Sequence, residues 1–227
     1  MRQPIRFRRD GAAAAPPDPS SDAGSPTGGG VEVRASQLLP LLLERFDPDE
    51  PVTVLDVGYG SGETAAFFSR YRCRLYFTGL IDASELWSLP DEDVDVYLDR
   101  AFARLLEFPP DTYFDVCLLW DFLNYLPVPA LRAFSRALRP HLHRQSHAHG
   151  FGTFKATAPA MRQATPEAAL QYGVHEVDKL SLRPRPDGVP PQFSHSRAVL
   201  AESLPCFEVV RGTLLKEGTM ELLMQAR

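Results

Sequence analysis

The chain has 227 residues, of which 44% are hydrophobic, and a formal net charge of -5. This length and apolar content are enough for one sizeable core, so we expect a single domain with a tail. The negative charge balance offers no basic surface for nucleic acid or anionic lipid, and no apolar run approaches the roughly 18 residues of a membrane span, so neither partner is expected.

The cysteines and the first residues bear on the compartment and the domain boundary. Cys73, Cys117 and Cys206 are widely spaced and form no metal or disulfide pattern, so a reducing cytoplasm is the expected location. Residues 1–30 are rich in Ala, Pro, Ser, Asp and Gly, and we predict a disordered N-terminal tail before a domain at 31–227. The early arginines are also compatible with an organelle transit peptide.

Apolar periodicity predicts strands that alternate with helices in the first half of the chain. The expected elements are an entry helix over Val31–Phe46, a strand at Thr53–Val57, a helix at Thr64–Tyr71 and a second strand at Arg74–Leu80. The segment from Val94 to Leu106 fits both periods, and we favour a helix. Phe114–Trp120 is almost continuously apolar, as expected of a central parallel strand covered on both faces.

The second half continues the alternation and closes on a hairpin. The expected elements are a helix over Val128–Leu142, a strand at His147–Phe154, an irregular region at 155–192 with a helix near Thr165–Tyr172, a helix over His195–Ser203 capped by Ser194, and an antiparallel pair at Phe207–Leu214 and Thr219–Met224. This order predicts a Rossmann-like open α/β sheet, mostly parallel with an antiparallel C-terminal strand and with helices on both faces. Ligands of such sheets bind at the carboxyl ends of the strands.

The stretch VLDVGYGSGETAAFF, residues 54–68, leads from the first buried strand through three glycines into a helix. A dinucleotide fingerprint needs G-x-G-x-x-G, whereas the spacing here is Gly58-x-Gly60-x-Gly62. Glu63 holds the place of the third dinucleotide glycine, where its carboxylate would repel a pyrophosphate. The Lys and Ser/Thr of a P-loop are also missing. The spacing therefore disfavours both NAD and nucleoside triphosphates.

The stretch resembles motif I of the class I S-adenosylmethionine-dependent methyltransferases, D-x-G-x-G-x-G, in which Asp56 precedes the three glycines. Phe108–Leu142 is similar to the family's fourth strand, acceptor-side loop and following helix, and FSHSRAVLAESLPCFEVV, residues 193–210, resembles its late helix and terminal strands. The resemblance covers residues 31–227 and implies S-adenosylmethionine as the cofactor. It implies that small residues around Tyr59 let the backbone approach the ribose and methionine portion, and that the acid favours the ammonium group directly or through water.

The end of the second strand departs from the family pattern. The family usually has an acid there that accepts hydrogen bonds from the ribose hydroxyls, but this chain has Thr78, Gly79 and Leu80. Asp82 is the candidate replacement. Asp121, just past the apolar strand, either faces the cofactor or acceptor or caps the next turn. The cofactor-binding residues implied by the resemblance are Asp56, Gly58, Tyr59, Gly60, Gly62, Asp82 and Asp121.

Side chains for the acceptor and for proton transfer are less clearly marked. Trp120, Asn124 and Tyr125 are candidates to line the acceptor pocket, with core packing as the alternative. The loop lacks the Asn-Pro-Pro-Tyr signature of relatives that methylate adenine or glutamine amides, so those acceptors are disfavoured. His175 and His195 are candidate general bases, with surface or capping roles as the alternative.

The histidines between 141 and 149 raise the question of a metal site. His141 and His143 precede His147 and His149, and the last two share one face of the predicted strand, as two metal ligands would. No cysteine or clear carboxylate partner is close to them in sequence, so we expect a polar loop that leads into a strand, and no metal.

These features predict an S-adenosylmethionine-dependent methyltransferase that acts on a small-molecule or other non-nucleic acceptor by in-line methyl transfer. Such a reaction needs mainly orientation and exclusion of water, so the sequence identifies no catalytic residue. The alternative is a catalytically inactive methyltransferase-like protein that binds a ligand or partner, because the second-strand carboxylate is missing. A nicotinamide-dependent oxidoreductase rests only on the βαβ start and is disfavoured by the glycine spacing.

Overall fold

A computed structural model describes residues 5–6, 31–86, 89–153, 170–185, 192–215 and 218–227. The strands are β1 (Ile5–Arg6), β2 (Glu32–Ala35), β3 (Val52–Asp56), β4 (Cys73–Phe77), β5 (Phe114–Trp120), β6 (Leu142–Thr153), β7 (Leu170–Glu176), β8 (Lys179–Pro184), β9 (Phe207–Leu214) and β10 (Thr219–Ala226). The helices are α1 (Leu39–Leu43), α2 (Gly62–Phe68), α3 (Val94–Leu105), α4 (Val128–Leu138) and α5 (Arg197–Ser203).

A main sheet of seven strands has the order β1-β4-β3-β5-β6-β10-β9, and a second sheet of three strands has the order β2-β8-β7. In the main sheet β4, β3, β5 and β6 are parallel neighbours, and β10 runs antiparallel between β6 and β9. The predicted Rossmann-like sheet with an antiparallel C-terminal strand is therefore confirmed. Because β4 and β5 lie on opposite sides of β3, the strand order reverses at the carboxyl end of β3.

Both faces of the main sheet are covered, because successive strand residues point to opposite sides. Leu55 of β3 and Cys117 of β5 belong to one buried cluster, together with apolar side chains of α3, α4 and α5. Val54 and Val116 belong to the other, with side chains of α1, α2 and the second sheet. One face of the main sheet is thus covered by helices, and the other is covered by α1, α2 and the second sheet.

A buried carboxylate on β10 fixes the start of α1. The Glu221 carboxylate accepts hydrogen bonds from the backbone N–H groups of Gln37 at 3.0 Å and Leu38 at 3.1 Å and from the Ser36 hydroxyl group. His149 of β6 is 2.8 Å away on the other side. Burial by itself would raise the pKa of Glu221, but these partners hold it at about 2.

Three predictions are wrong where the chain forms the second sheet. The entry helix predicted over Val31–Phe46 is replaced by β2, which pairs with β8, and by the short α1, which keeps the predicted buried leucines. The region predicted as irregular contains the hairpin β7–β8, whose buried Val174, Leu180 and Leu182 alternate along the strands. Residues 170–172 of the predicted helix near Thr165–Tyr172 are strand, and the rest of that helix lies outside the described residues.

Other elements differ mainly at their ends. The helix predicted to run to Leu142 stops at Leu138, because Pro140 has no backbone N–H to continue it. The last helix is capped by the Ser196 hydroxyl group and not by Ser194. The helix favoured for the ambiguous segment from Val94 is confirmed. No helix in the described parts of the chain combines the length and apolarity needed to cross a membrane.

The predicted tail, residues 1–30, lies outside the described residues except for β1. This strand pairs antiparallel with β4 through Ile5 opposite Leu75 and Arg6 opposite Arg74. A two-residue strand at a sheet edge adds little to the free energy of unfolding. We therefore expect that deletion of residues 1–28 leaves the melting temperature nearly unchanged, as measured by calorimetry. A fall of more than about 10 °C, equivalent to roughly 3 kcal/mol for a chain of this size, would contradict this.

Candidate functional site

The glycine motif lies between β3 and α2, at the carboxyl edge of the main sheet. Ser61 caps α2, because its Oγ accepts a hydrogen bond from the Thr64 N–H at 3.0 Å. Gly60 has a φ of +75°, and a Cβ built there would lie 3.0 Å from the Phe77 ring, so this turn requires glycine. A Cβ built at Gly62 would meet no described atom within 4 Å other than those of its chain neighbours and the backbone of α2. The open side of the loop is therefore at the first residue of α2.

The Asp56 carboxyl group lies fully buried beneath this loop. Its Oδ1 accepts hydrogen bonds from the Gly58 N–H at 2.8 Å and from the Trp120 indole N–H at 2.7 Å. Burial raises the pKa of Asp56 from 3.8 to about 7, against the opposing effect of these two hydrogen bonds. Its Oδ2 is also buried and has no hydrogen-bond partner among the described residues. A buried acceptor without a donor costs about 1–3 kcal/mol unless a ligand satisfies it.

Trp120 ends β5 and packs against the same loop. Its φ of 49° is uncommon for a bulky residue. Its ring stacks on Tyr172 of β7 with ring centroids 5.6 Å apart, and Tyr172 stacks on Phe151 at 5.2 Å. A Cβ at Gly58 would lie 3.0 Å from the indole Cδ1, so this glycine makes room for the tryptophan. Trp120 is therefore a core residue that holds the loop from behind.

Asp121 is bound by an arginine that the sequence analysis did not single out. Arg185, just past β8, donates from Nη2 to Oδ1 of Asp121 at 2.6 Å, and the Tyr125 hydroxyl group donates to Oδ2 at 2.6 Å. Burial raises the pKa of Asp121, which the Arg185 charge and the Tyr125 hydrogen bond partly oppose. Asp121 makes no capping hydrogen bond to the turn that follows it. Its carboxylate instead fixes the position of the Arg185 guanidinium group.

The guanidinium group of Arg185 lies between the two loops of the candidate site. Its Cζ is 4.8 Å from the Tyr125 ring centroid and 5.9 Å from that of Tyr59, which belongs to the glycine loop. Two residues earlier, Arg183 makes a two-point salt bridge with Glu63 in the first turn of α2, including a 3.0 Å bond from Nη1 to Oε2. The hairpin β7–β8 therefore contacts the site through two arginines.

The end of β4 carries no carboxylate, as the sequence indicates. Gly79 has a φ of +56°, and its N–H donates to the Gly58 carbonyl oxygen at 3.1 Å. The chain then forms a short turn, Leu80–Asp82, in which the Leu80 N–H donates to the Val57 carbonyl oxygen at 3.1 Å. Asp82 is exposed on this turn. The turn that carries Asp82 is thus hydrogen-bonded to the glycine loop. The role of Asp82 in cofactor binding stays a prediction.

The histidines of the β6 region are tied to other groups. In chain order, His141, His143, His147 and His149 contact the Thr112 carbonyl oxygen, Asp115, Arg45 and Glu221. Among the described residues, no group of three or more His, Cys, Asp or Glu side chains is placed to hold a metal ion.

The candidate bases and acceptor residues also have defined positions. His195 is buried and lies 2.8 Å from the Leu126 carbonyl oxygen, and burial lowers its pKa, so the imidazole is neutral near pH 7. The side chain of His175 is exposed on β7. The Asn124 side chain is bonded to the backbone of β6 through both its amide nitrogen and its oxygen. Asn124 therefore positions the loop after β5.

A cavity of about 490 Å³ lies at the opposite, amino edge of the main sheet. Its wall includes Val52 at the start of β3 and Asp115 near the start of β5. His143 and His147 also line it, but both ring nitrogens of each already have hydrogen-bond partners. This cavity is separate from the glycine loop and brings together none of the predicted cofactor residues.

The fold of this chain is similar to several solved structures whose sequences have low identity to it. No family model and no curated protein matches the chain. The chain is similar to the pyocyanin biosynthetic protein PhzM, with 16% identity and a TM-score of 0.43 over 83% of this chain; it spans about half, 54%, of the length of PhzM.

Two further solved structures are named methyltransferases. One is the 1,6-didemethyltoxoflavin-N1-methyltransferase of Burkholderia thailandensis, with 14% identity and a TM-score of 0.43 over 78% of this chain and 72% of that one. The other is an S-adenosylmethionine-dependent methyltransferase of Clostridium acetobutylicum, with 10% identity and a TM-score of 0.42 over 77% and 83%. The function proposed for this chain is supported by its own residues.

The raised pKa of Asp56 predicts a pH-dependent difference between the wild type and Asp56→Asn. Between pH 3.8 and about 7 the folded state holds a proton at Asp56 that the unfolded chain has released, so the free energy of unfolding contributed by this group falls as pH rises through that interval. The variant, compared with the wild type, should therefore become relatively more stable from about pH 4 to about pH 7 in denaturant titrations. A difference that does not change with pH would contradict the burial of an ionisable Asp56.

Proposed function

We propose that this chain binds S-adenosylmethionine at the glycine loop and transfers its methyl group to a small-molecule or other non-nucleic acceptor. The observation that carries the proposal is the buried Oδ2 of Asp56, at the end of β3, which has no hydrogen-bond partner among the described residues. The ammonium group at the amino-acid end of the cofactor is a positively charged donor and satisfies such an acceptor. The loop is open at Gly62, where a ligand can approach the backbone.

The surroundings of Glu63 support this cofactor over a dinucleotide. Its carboxylate lies in the first turn of α2 and is paired with Arg183. Burial opposes ionisation, but the hydrogen bonds and charge of Arg183 lower the pKa of Glu63, so the group stays negative at neutral pH. A pyrophosphate at this helix start would compete with the Glu63 carboxylate for Arg183, whereas S-adenosylmethionine carries no phosphate.

The chemistry requires little from the protein beyond orientation. When bound, S-adenosylmethionine supplies a methyl group on a sulfonium that is a good leaving group. Asp56 orients the amino-acid end from below the loop, and Trp120, which stacks on Tyr172 of the second sheet, fixes the Asp56 carboxyl group by a hydrogen bond. Asp121 holds the Arg185 guanidinium group beside the Tyr59 ring of the glycine loop. An acceptor that is not protonated needs no base from the chain.

The cellular setting belongs to the same proposal. Cys73, Cys117 and Cys206 are free and buried. Burial raises the pKa of Cys73 to about 12 and that of Cys206 to about 11, so these thiols are unreactive. We propose a cytoplasmic protein with a small-molecule acceptor, and we expect no nucleic-acid partner.

A second candidate function is ligand or partner binding without catalysis. The observation in its favour is the end of β4, where Gly79 replaces a ribose-binding acid and Asp82 is exposed. A neutral site there loses a charge-assisted hydrogen bond of about 1.5–3 kcal/mol. The two functions differ in whether labelled methyl groups are transferred to any compound of a metabolite extract.

Calorimetric titration separates the cofactor classes. We expect S-adenosylmethionine and S-adenosylhomocysteine to bind more tightly than NAD, because the loop lacks the third dinucleotide glycine and Glu63 is charged. Tighter binding of NAD would overturn the cofactor assignment.

The same titration tests the role of Asp56. At about pH 6.5 the α-amino group of the ligand is protonated, because its ordinary pKa is about 7.7–8.0, while part of the Asp56 population is neutral. Binding of the ammonium group should ionise Asp56 and release a proton, which appears as a dependence of the binding enthalpy on the ionisation enthalpy of the buffer. Asp56→Asn should abolish this dependence. Equal proton release by the wild type and the variant would show that the ammonium group binds elsewhere.

Two substitutions at the end of β4 test ribose binding, one that removes a carboxylate and one that adds a carboxylate. Asp82→Asn should weaken S-adenosylmethionine binding about tenfold, or about 1.4 kcal/mol, if this carboxylate accepts the ribose hydroxyl groups. Gly79→Asp would place a carboxylate where the family has one, but the φ of +56° at Gly79 strains any residue with a side chain, so this variant should tighten binding only if melting curves show that it keeps the fold.

These two variants also decide between the candidate functions. Binding that neither substitution changes, together with no methyl transfer to a metabolite extract, would favour the non-catalytic protein. Melting curves of both variants serve as the folding control.

A further inference from the structure

The Arg185 side chain has one hydrogen-bonding group that no other described residue contacts. The side chain is only 1% exposed. Its Nη2 donates to Asp121, and its Nε donates to the Leu170 carbonyl oxygen at 2.8 Å. Its Nη1 is buried and has no hydrogen-bond partner among the described residues. An enclosed guanidinium nitrogen without an acceptor is as costly as an enclosed carboxylate oxygen without a donor.

The guanidinium plane cannot easily turn to satisfy this nitrogen elsewhere. The bonds from Nη2 and Nε fix two sides of the group, and the rings of Tyr125 and Tyr59 lie against it. Because guanidinium is planar and its donors have fixed directions, the direction of Nη1 is set by the other two bonds. A planar donor held in this way suits an anionic oxygen of a ligand.

Two buried groups therefore lack a partner among the described residues, one beneath the glycine loop and one on a guanidinium group whose Cζ is 5.9 Å from the Tyr59 ring of that loop, and they are complementary in charge. Asp56 Oδ2 is an acceptor on a carboxylate, and Arg185 Nη1 is a donor on a cation. A zwitterion with an ammonium group and a carboxylate supplies one partner for each. The α-amino-acid end of S-adenosylmethionine has this chemistry.

We infer that Arg185 anchors the carboxylate of the bound cofactor through Nη1, as a specificity-determining residue supplied by the hairpin β7–β8. The inference rests on the proposed function, since it names the group that one end of S-adenosylmethionine contacts. Asp121 acts through Arg185 as a positioning residue. The site therefore selects for an intact carboxylate on the cofactor.

Decarboxylated S-adenosylmethionine tests this selection, because it keeps the adenosine, the sulfonium and the amino group. For the wild type we expect calorimetry to show binding weaker by about 10- to 100-fold than that of S-adenosylmethionine, the effect of one charge-assisted hydrogen bond. Arg185→Lys keeps a cation for Asp121 but lacks the second donor. In this variant the ratio of the two dissociation constants should fall close to one.

Arg183→Lys is the matched control, because Arg183 lies two residues away and contacts Glu63 instead of Asp121. It should retain the wild-type ratio. If Arg185→Lys does not fold, the double variant Asp121→Asn/Arg185→Met removes both buried charges together and avoids an unpaired carboxylate. The expected ratio for the double variant is also close to one.

Each outcome bears on a different part of the account. Equal affinity of the wild type for both compounds overturns the carboxylate anchor and leaves the proposed cofactor intact. A wild-type ratio that persists in the Arg185 variants overturns the assignment to this residue. If the wild type binds neither compound, the proposed function fails and the anchor fails with it.

Discussion

The hydrogen bond from the Trp120 indole to the buried Asp56 carboxyl group is the contact on which the rest of the site depends. It joins the ends of β3 and β5, the two strands between which the sheet order reverses. It also explains Gly58, since any side chain there would meet the indole ring. Because the indole bonds to Oδ1, Oδ2 stays buried without a partner among the described residues, and burial raises the pKa of the Asp56 carboxyl group to about 7. The loop therefore contains a group whose charge depends on what binds beside it.

The second sheet gives this site its charge balance. Arg183 at the end of its hairpin contacts Glu63 in α2, and Arg185, just past β8, contacts Asp121 after β5. Two residues of one short segment therefore contact the chain after both β3 and β5. The Arg185–Asp121 pair is buried, and such a pair adds little net stability because desolvation offsets much of its attraction, whereas the Arg183–Glu63 pair is partly exposed. The pair with Asp121 matters for position, because it places a cation 5.9 Å from the Tyr59 ring of the glycine loop. An amino-acid end with both charges matches this arrangement better than a simple cation does.

Elements whose structure depends on the local apolar pattern could be predicted from the sequence. The apolar run Phe114–Trp120 has the observed bounds of β5, and the order of strands and helices led to the correct sheet. The hairpin β7–β8 was missed, because its alternating apolar residues are surrounded by prolines that favour an irregular prediction. Arg185 had no local signal at all, since its partner Asp121 is 64 residues away in the chain. The contact of Arg185 with Asp121 depends on long-range pairing and could not be predicted from the sequence.

A structure of the complex with S-adenosylhomocysteine tests the central claim most directly. The ligand has the same amino-acid end as the proposed cofactor and lacks the methyl group. We expect its amino group within hydrogen-bonding distance of Asp56 Oδ2 and its carboxylate within hydrogen-bonding distance of Arg185 Nη1, about 2.7–3.2 Å in each case. A ligand seated in the cavity beside His143, or one at the glycine loop with its carboxylate turned away from Arg185, would contradict the account.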